Sequence, residues 1–195
     1  KTNLAKSLAT SIECSFGRVQ FTPDLLPSDV VGLTVWNRAD NTFDFRPGPV
    51  FNNVVLADEI NRASPKTQAA LLEAMAEIQV TVDGTTYPLT PPFMVIATQN
   101  PIEHEGTYPL PESQLDRFLM RVSVGYPSPS AELEILDTHG DHDPFRDIGP
   151  VVSNADVERM AAATRQVHVA PSLKAYLVDV AQATRRSTHL ALGVS

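Results

Sequence analysis

The stretch Val54-Val55-Leu56-Ala57-Asp58-Glu59-Ile60-Asn61 constrains this chain more than any other. Four apolar residues, two of them β-branched, end abruptly in adjacent carboxylates. A run this short and this apolar suits a central strand of a parallel sheet, covered on both faces. Such a strand cannot carry Asp and Glu in its middle, so the pair belongs where the strand emerges. Ligands of open α/β sheets bind at the carboxyl ends of the strands. Successive strand residues point to opposite sides. Asp58 and Glu59 can therefore serve different tasks, one near a metal ion and one near a reacting water. The plainer alternative is a buried strand followed by two acids at the start of the next helix.

The first two residues tip that balance. Lys1-Thr2 runs directly into a helical pattern, with Leu4, Ala5, Leu8, Ala9 and Ile12 along one side. Lys-Thr opening an amphipathic helix is the tail of the phosphate-binding loop G-x-x-x-x-G-K-[ST]. Alone the dipeptide says little; with an apolar strand ending in Asp-Glu the combination is specific. Lys1 is expected to meet the β- and γ-phosphates. The Thr2 hydroxyl and Asp58 are expected to hold Mg²⁺, directly or through water. The glycines of that loop would precede Lys1, so the sequence reads as a piece of a longer protein.

Composition bounds the rest. A chain of 195 residues can bury a substantial core. With 19% charged and 43% hydrophobic residues it reads as a soluble globular protein. No apolar run is long enough to span a bilayer. The single cysteine, Cys14, excludes an internal disulfide and fits a reducing, cytoplasmic setting, where it reads as a small apolar group. A net charge of −8 argues against general affinity for nucleic acid or anionic membrane.

Along the chain, Phe16–Phe21 alternates as a strand, and Asp24–Val31 reads as a short helix bent at Pro27. Gly32–Val50 predicts a small projecting hairpin closed by Pro47-Gly48-Pro49, with Trp36 packed in it. Ser64 and Pro65 start a helix with Ala69, Ala70, Leu72, Met75 and Ala76 inward. Gln79–Tyr87 is a hairpin with an Asp-Gly turn. Phe93–Thr98 is a second buried strand, delivering the amide Asn100 to its mouth. A short helix carries Arg117, whose planar fork suits phosphate. Leu119–Val124 alternates as a further strand; a helix from Ser128 turns Leu133, Ile135 and Leu136 inward and ends at Gly140. His139–Pro144 is metal-like in composition but lacks a distant pair of ligands. The chain thus divides into an α/β core (1–139), a linker (140–150) and helices from 151 to 195.

With Lys1-Thr2, Asp58-Glu59, Asn100 and Arg117 in this order, the chain resembles an AAA+ ATPase. It is most like the MoxR family, in the group with an insert in the second helix. The telling stretches are Phe45–Phe51, Ala57–Gln68, Thr98–Glu103 and Glu105–Phe118. The resemblance implies a P-loop three-layer αβα core with a central parallel sheet, followed by a small all-α lid. It implies Walker A for Lys1 and Thr2, and Walker B for Asp58 and Glu59, with Glu59 polarising the attacking water. Asn100 matches sensor 1, and Arg117 the arginine finger that reaches a neighbouring subunit's nucleotide. It further implies ATP and Mg²⁺, a ring, usually a hexamer, and a chaperone-like role beside a von Willebrand factor A domain protein. The inserts at Gly32–Val50 and Gln79–Leu89 would contact the client. Two elements of the family's pattern are not in these residues: the Walker A glycines and the sensor 2 arginine. The expectation is that the parent protein hydrolyses ATP while this segment alone does so poorly or not at all. A nucleotide-gated scaffold without catalysis and a nucleic-acid-remodelling ATPase are the rival readings; the acidic charge weighs against the second.

Overall fold

The run at Val54 forms the middle of a sheet. The computed structural model describes residues 2–99, 107–138, 147–190 and 192–194. In chain order the elements are α1 (Thr2–Ser11), β1 (Phe16–Gln20), α2 (Pro27–Val31), β2 (Gly32–Asn37) and β3 (Thr42–Pro47). A 3₁₀ turn (Pro49–Phe51) leads to β4 (Val54–Asp58), and a second (Ile60–Arg62) to α3 (Pro65–Glu77). Then come β5 (Gln79–Val82), β6 (Thr85–Pro88), β7 (Met94–Ala97), α4 (Glu112–Leu115), α5 (Pro129–Thr138), α6 (Asn154–Arg165) and α7 (Pro171–Arg186).

β1, β4 and β7 form a parallel sheet in the order β1-β4-β7. Val55 and Ala57 join Val19, Phe21, Leu71, Leu72 and Ala74 in one buried cluster, so that face of the sheet is covered by α3. Val54 and Leu56 are one residue out of phase and face the other way. On that side α1 packs against β4, with Ala5 and Ala9 buried. The expected three-layer αβα arrangement is therefore present. Burial of both faces explains why β4 is apolar from Val54 to Ala57, before Asp58; each buried Val or Leu contributes about 1.5–3 kcal/mol.

α3 forms as anticipated, with Ser64 accepting from the Thr67 amide at 3.4 Å and Pro65 in the first turn. Its inward face differs. Of the expected stripe, Leu72 is buried and Met75 packs against the core, but Thr67, Gln68, Leu71 and Ala74 are buried in place of Ala69, Ala70 and Ala76. A helix so rich in alanine defines no strong apolar stripe, and hydrogen bonding decides its rotation. The Gln68 carboxamide nitrogen donates to the carbonyls of Ile60 (3.1 Å), Ala63 (3.2 Å) and Tyr108 (2.9 Å). Gln68→Leu leaves those carbonyls without their donor. We expect it to cost about 1–3 kcal/mol, seen as a lower urea midpoint at unchanged slope.

Both hairpins are present. In β2–β3, Asn37 pairs with Thr42 and Gly32 with Pro47. The tip is therefore residues 38–41, and Pro47-Gly48-Pro49 lies at the base, not the turn as expected. The glycines serve the base: a Cβ on Gly48 would fall 2.3 Å from the Val30 carbonyl oxygen. Trp36 packs edge-on against Phe43 across the hairpin, ring centroids 4.8 Å apart. In β5–β6, Asp83 (φ 50°) and Gly84 (φ 79°) make the turn with both central residues left-handed.

Three further expectations are corrected. Pro27 starts α2 instead of bending it, because its missing N–H is harmless in a first turn. Leu119–Val124 forms no strand; Leu119 is 96% exposed. Alternation creates a face but not a ladder, and no described strand lies alongside. α5 forms, yet Leu133, Ile135 and Leu136 are exposed, with no described layer covering them.

Cys14 follows α1, half-buried, and its thiol donates to Asn154 Oδ1 at 2.6 Å. Burial pushes its pKa up, so it stays a neutral thiol. The chain divides into two compact units at Glu158/Arg159, within α6. In the second unit the segment after α7 folds back on it: the Arg185 guanidinium donates to the Val194 carbonyl at 2.8 Å.

Candidate functional site

The parity of the three strands places the site. Val19 on β1, Val55 and Ala57 on β4, and Val95 and Ala97 on β7 all pack toward the main core. Arg18, Gln20, Asp58 and Thr98 have the opposite phase and share the face that α1 covers. The register sets Gln20 beside Asp58, and Thr98 follows the Ala57–Ala97 pair. Gln20, Asp58 and Thr98 therefore form one row across the carboxyl ends of the three strands.

Asp58 is held from both neighbouring strands. Arg18 donates to its Oδ2 at 2.7 Å, and the same guanidinium nitrogen reaches Gln20 Oε1 at 2.6 Å. From the other side the Thr98 hydroxyl donates to Oδ1 at 2.6 Å. Glu59 leaves the row at once. Its backbone is left-handed (φ 56°, ψ 47°), its amide donates to Thr98 Oγ1 at 2.9 Å, and Arg62 pairs with its Oε2 at 3.0 Å. The two acids thus have different surroundings, one within the sheet row and one capping the 3₁₀ turn beyond it.

The other predicted residues are placed as follows. Thr2 opens α1, half-buried; the carboxyl end of α1 feeds β1 at the amino ends of the strands. A helix packed along β4 and ending there has its own amino end toward the strand carboxyl ends, where the acids are. Arg117 follows α4, is exposed, and donates to the Leu72 carbonyl of α3 at 2.9 Å. Lys1 and Asn100 lie outside the described residues, as does His139–Pro144. Among the described residues no cluster of three His, Cys, Asp or Glu side chains could hold a metal.

Arg18, Thr98 and Arg62 were not anticipated. Arg18 carried a faint signal, as the charged residue on the polar phase of a strand beside the central one. Thr98 carried another, as the hydroxyl ending an apolar run. The donor set of Asp58 with a threonine hydroxyl is hard oxygen, which suits Mg²⁺ held by few protein ligands alongside phosphates and water.

Known proteins are similar to this chain in sequence and fold. Residues 1–120 match the model of the ATPase family associated with various cellular activities (AAA). The uncharacterized protein YeaC of Bacillus subtilis is 51% identical over 195 residues, covering 100% of this chain and 61% of its own length. Chaperone MoxR1 of Mycobacterium tuberculosis is 45% identical over 192 residues, 98% of this chain and 50% of its own. Protein MoxR of Paracoccus denitrificans is 31% identical over 205 residues, 100% of this chain and 60% of its own. The crystal structure of a candidate ATPase from Cytophaga hutchinsonii matches with a TM-score of 0.88 and 41% identity, over 100% of this chain and 62% of that one. The chain spans 50–61% of the length of these curated relatives.

Proposed function

The chain belongs to the MoxR-like AAA+ ATPases, and from that membership we propose that the protein binds and hydrolyses ATP as a chaperone-like motor for a protein partner. The observation that carries this reading is the separate fixing of two adjacent acids at a strand end: Asp58 on Arg18 and Thr98, Glu59 on Arg62.

Phosphoryl transfer to water is a matter of position and charge. Lys1 would bind the β- and γ-phosphates, and Thr2 with Asp58 would hold Mg²⁺. When bound, the ion would neutralise charge on the phosphate oxygens. Glu59 orients the attacking water and accepts its proton. A carboxylate has room for that water while keeping one bond to Arg62. Asn100 holds the water or the γ-phosphate. Arg117 acts on the nucleotide of a neighbouring protomer, which makes hydrolysis conditional on a ring, taken to be a hexamer. The hairpins β2–β3 and β5–β6 would meet the client, and the exposed pair Trp36 and Phe43 offers an apolar contact there. A von Willebrand factor A domain protein is the proposed partner, in the cytoplasm; no described helix is long and apolar enough to cross a membrane.

The test is phosphate release by the native protein from ATP with Mg²⁺. Release that stops on addition of EDTA supports the motor. Nucleotide-dependent ring assembly without release would establish the non-catalytic scaffold instead.

A further inference from the structure

The geometry points to Thr98 as a positioning residue for hydrolysis, one that sets the direction of both acids from the neighbouring strand. The inference rests on the ATPase reading above.

Thr98 is 8% exposed; its amide donates to the Ala57 carbonyl at 2.9 Å, while its hydroxyl and carbonyl are directed at residues 58 to 60. Its hydroxyl proton goes to Asp58 Oδ1 (2.6 Å). The hydroxyl oxygen takes the Glu59 amide (2.9 Å), and its carbonyl takes the Ile60 amide (3.0 Å). One side chain therefore controls two unlike features. It fixes the rotation of the Asp58 carboxylate, which Arg18 holds only at the far oxygen. It also supports the left-handed backbone at Glu59, a conformation that costs a non-glycine residue about 1–2 kcal/mol. That backbone decides where the Glu59 carboxylate points.

The chemistry of the group fits the task. A hydroxyl is neutral, so it orients Asp58 without competing for its charge, as the Arg18 guanidinium does. It is both donor and acceptor, which the strand end requires here. Valine has the same shape and neither function. Serine keeps both.

The experiment compares Thr98→Val and Thr98→Ser in the native protein. Thr98→Val is expected to lower kcat by about 10–100-fold, the range for a residue that orients a metal-binding carboxylate. It should also raise the Mg²⁺ concentration for half-maximal rate. Independently of turnover, Mn²⁺ should bind more weakly to its ATP complex by electron paramagnetic resonance. Binding of a fluorescent ATP analogue in EDTA should be unchanged. Thr98→Ser should restore rate and metal dependence. A folded Thr98→Val with wild-type rate and metal dependence, or a Thr98→Ser as impaired as the valine variant, overturns the assignment. If Thr98→Val does not fold, Thr98→Cys, with its weak S–H donor, decides by the same criteria. No phosphate release from ATP by the wild-type protein would sink the ATPase reading itself; inactive Glu59→Gln beside active Thr98→Val would sink only the role of Thr98.

Discussion

Glu59→Gln is expected to bind ATP normally and to lose about 10²–10⁴-fold in turnover, the usual contribution of a positioned general base. Glutamine matches glutamate in shape, so the backbone bond from residue 59 to Thr98 survives the exchange. Its carbonyl oxygen can still accept from Arg62. What disappears is the charge that takes a proton from water. The Glu59–Arg62 pair is partly exposed, with side-chain exposures of 28% and 40%. Such a pair contributes at most about 1 kcal/mol to stability. Folding and chemistry therefore separate: a melting curve close to wild type with phosphate release at background assigns the loss to the reaction. Calorimetric titration with ATP checks the binding half. Turnover at the wild-type rate would remove Glu59 from its role.

Arg117→Ala is expected to reduce turnover by about 10³-fold or more, the range for NTPases that use an arginine finger. The structural cost should be small. Arg117 donates to the Leu72 carbonyl, a helical oxygen with an intrahelical partner as well. One such bond is worth about 0.5–1.5 kcal/mol. In a chain of this size 1 kcal/mol shifts the melting temperature by about 2–4 °C. The decisive measurement mixes Arg117→Ala with Glu59→Gln protomers. Each has the group the other lacks, so activity should return in mixed rings if the arginine serves a neighbour. Mixtures as inactive as their parents, with rings intact, would refute a finger supplied across the interface. A normal rate for Arg117→Ala alone would place the finger elsewhere.

Elements whose identity depends on neighbours in sequence were legible beforehand. The Asp83-Gly84 turn and the Ser64-Pro65 helix start follow from backbone chemistry within a few residues. Local pattern misleads where a segment needs a distant partner. Leu119–Val124 has the alternation of a strand without a ladder to join. The face of α3 turned on Gln68, whose amide is satisfied by three carbonyls from two separate segments. Pro47-Gly48-Pro49 carries turn residues for a purpose other than the hairpin turn: close backbone approach at the base.

From sequence alone came the buried parallel strand ending in Asp58 and Glu59, since an apolar run closed by two charges admits few other folds. Tertiary structure alone decided what holds those acids. Arg18 and Thr98 each stand 40 positions from Asp58, one on either side. Periodicity is a local property, while the register between parallel strands is set by packing of the helices that connect them. Only that register brings a guanidinium and a hydroxyl to the two oxygens of one carboxylate.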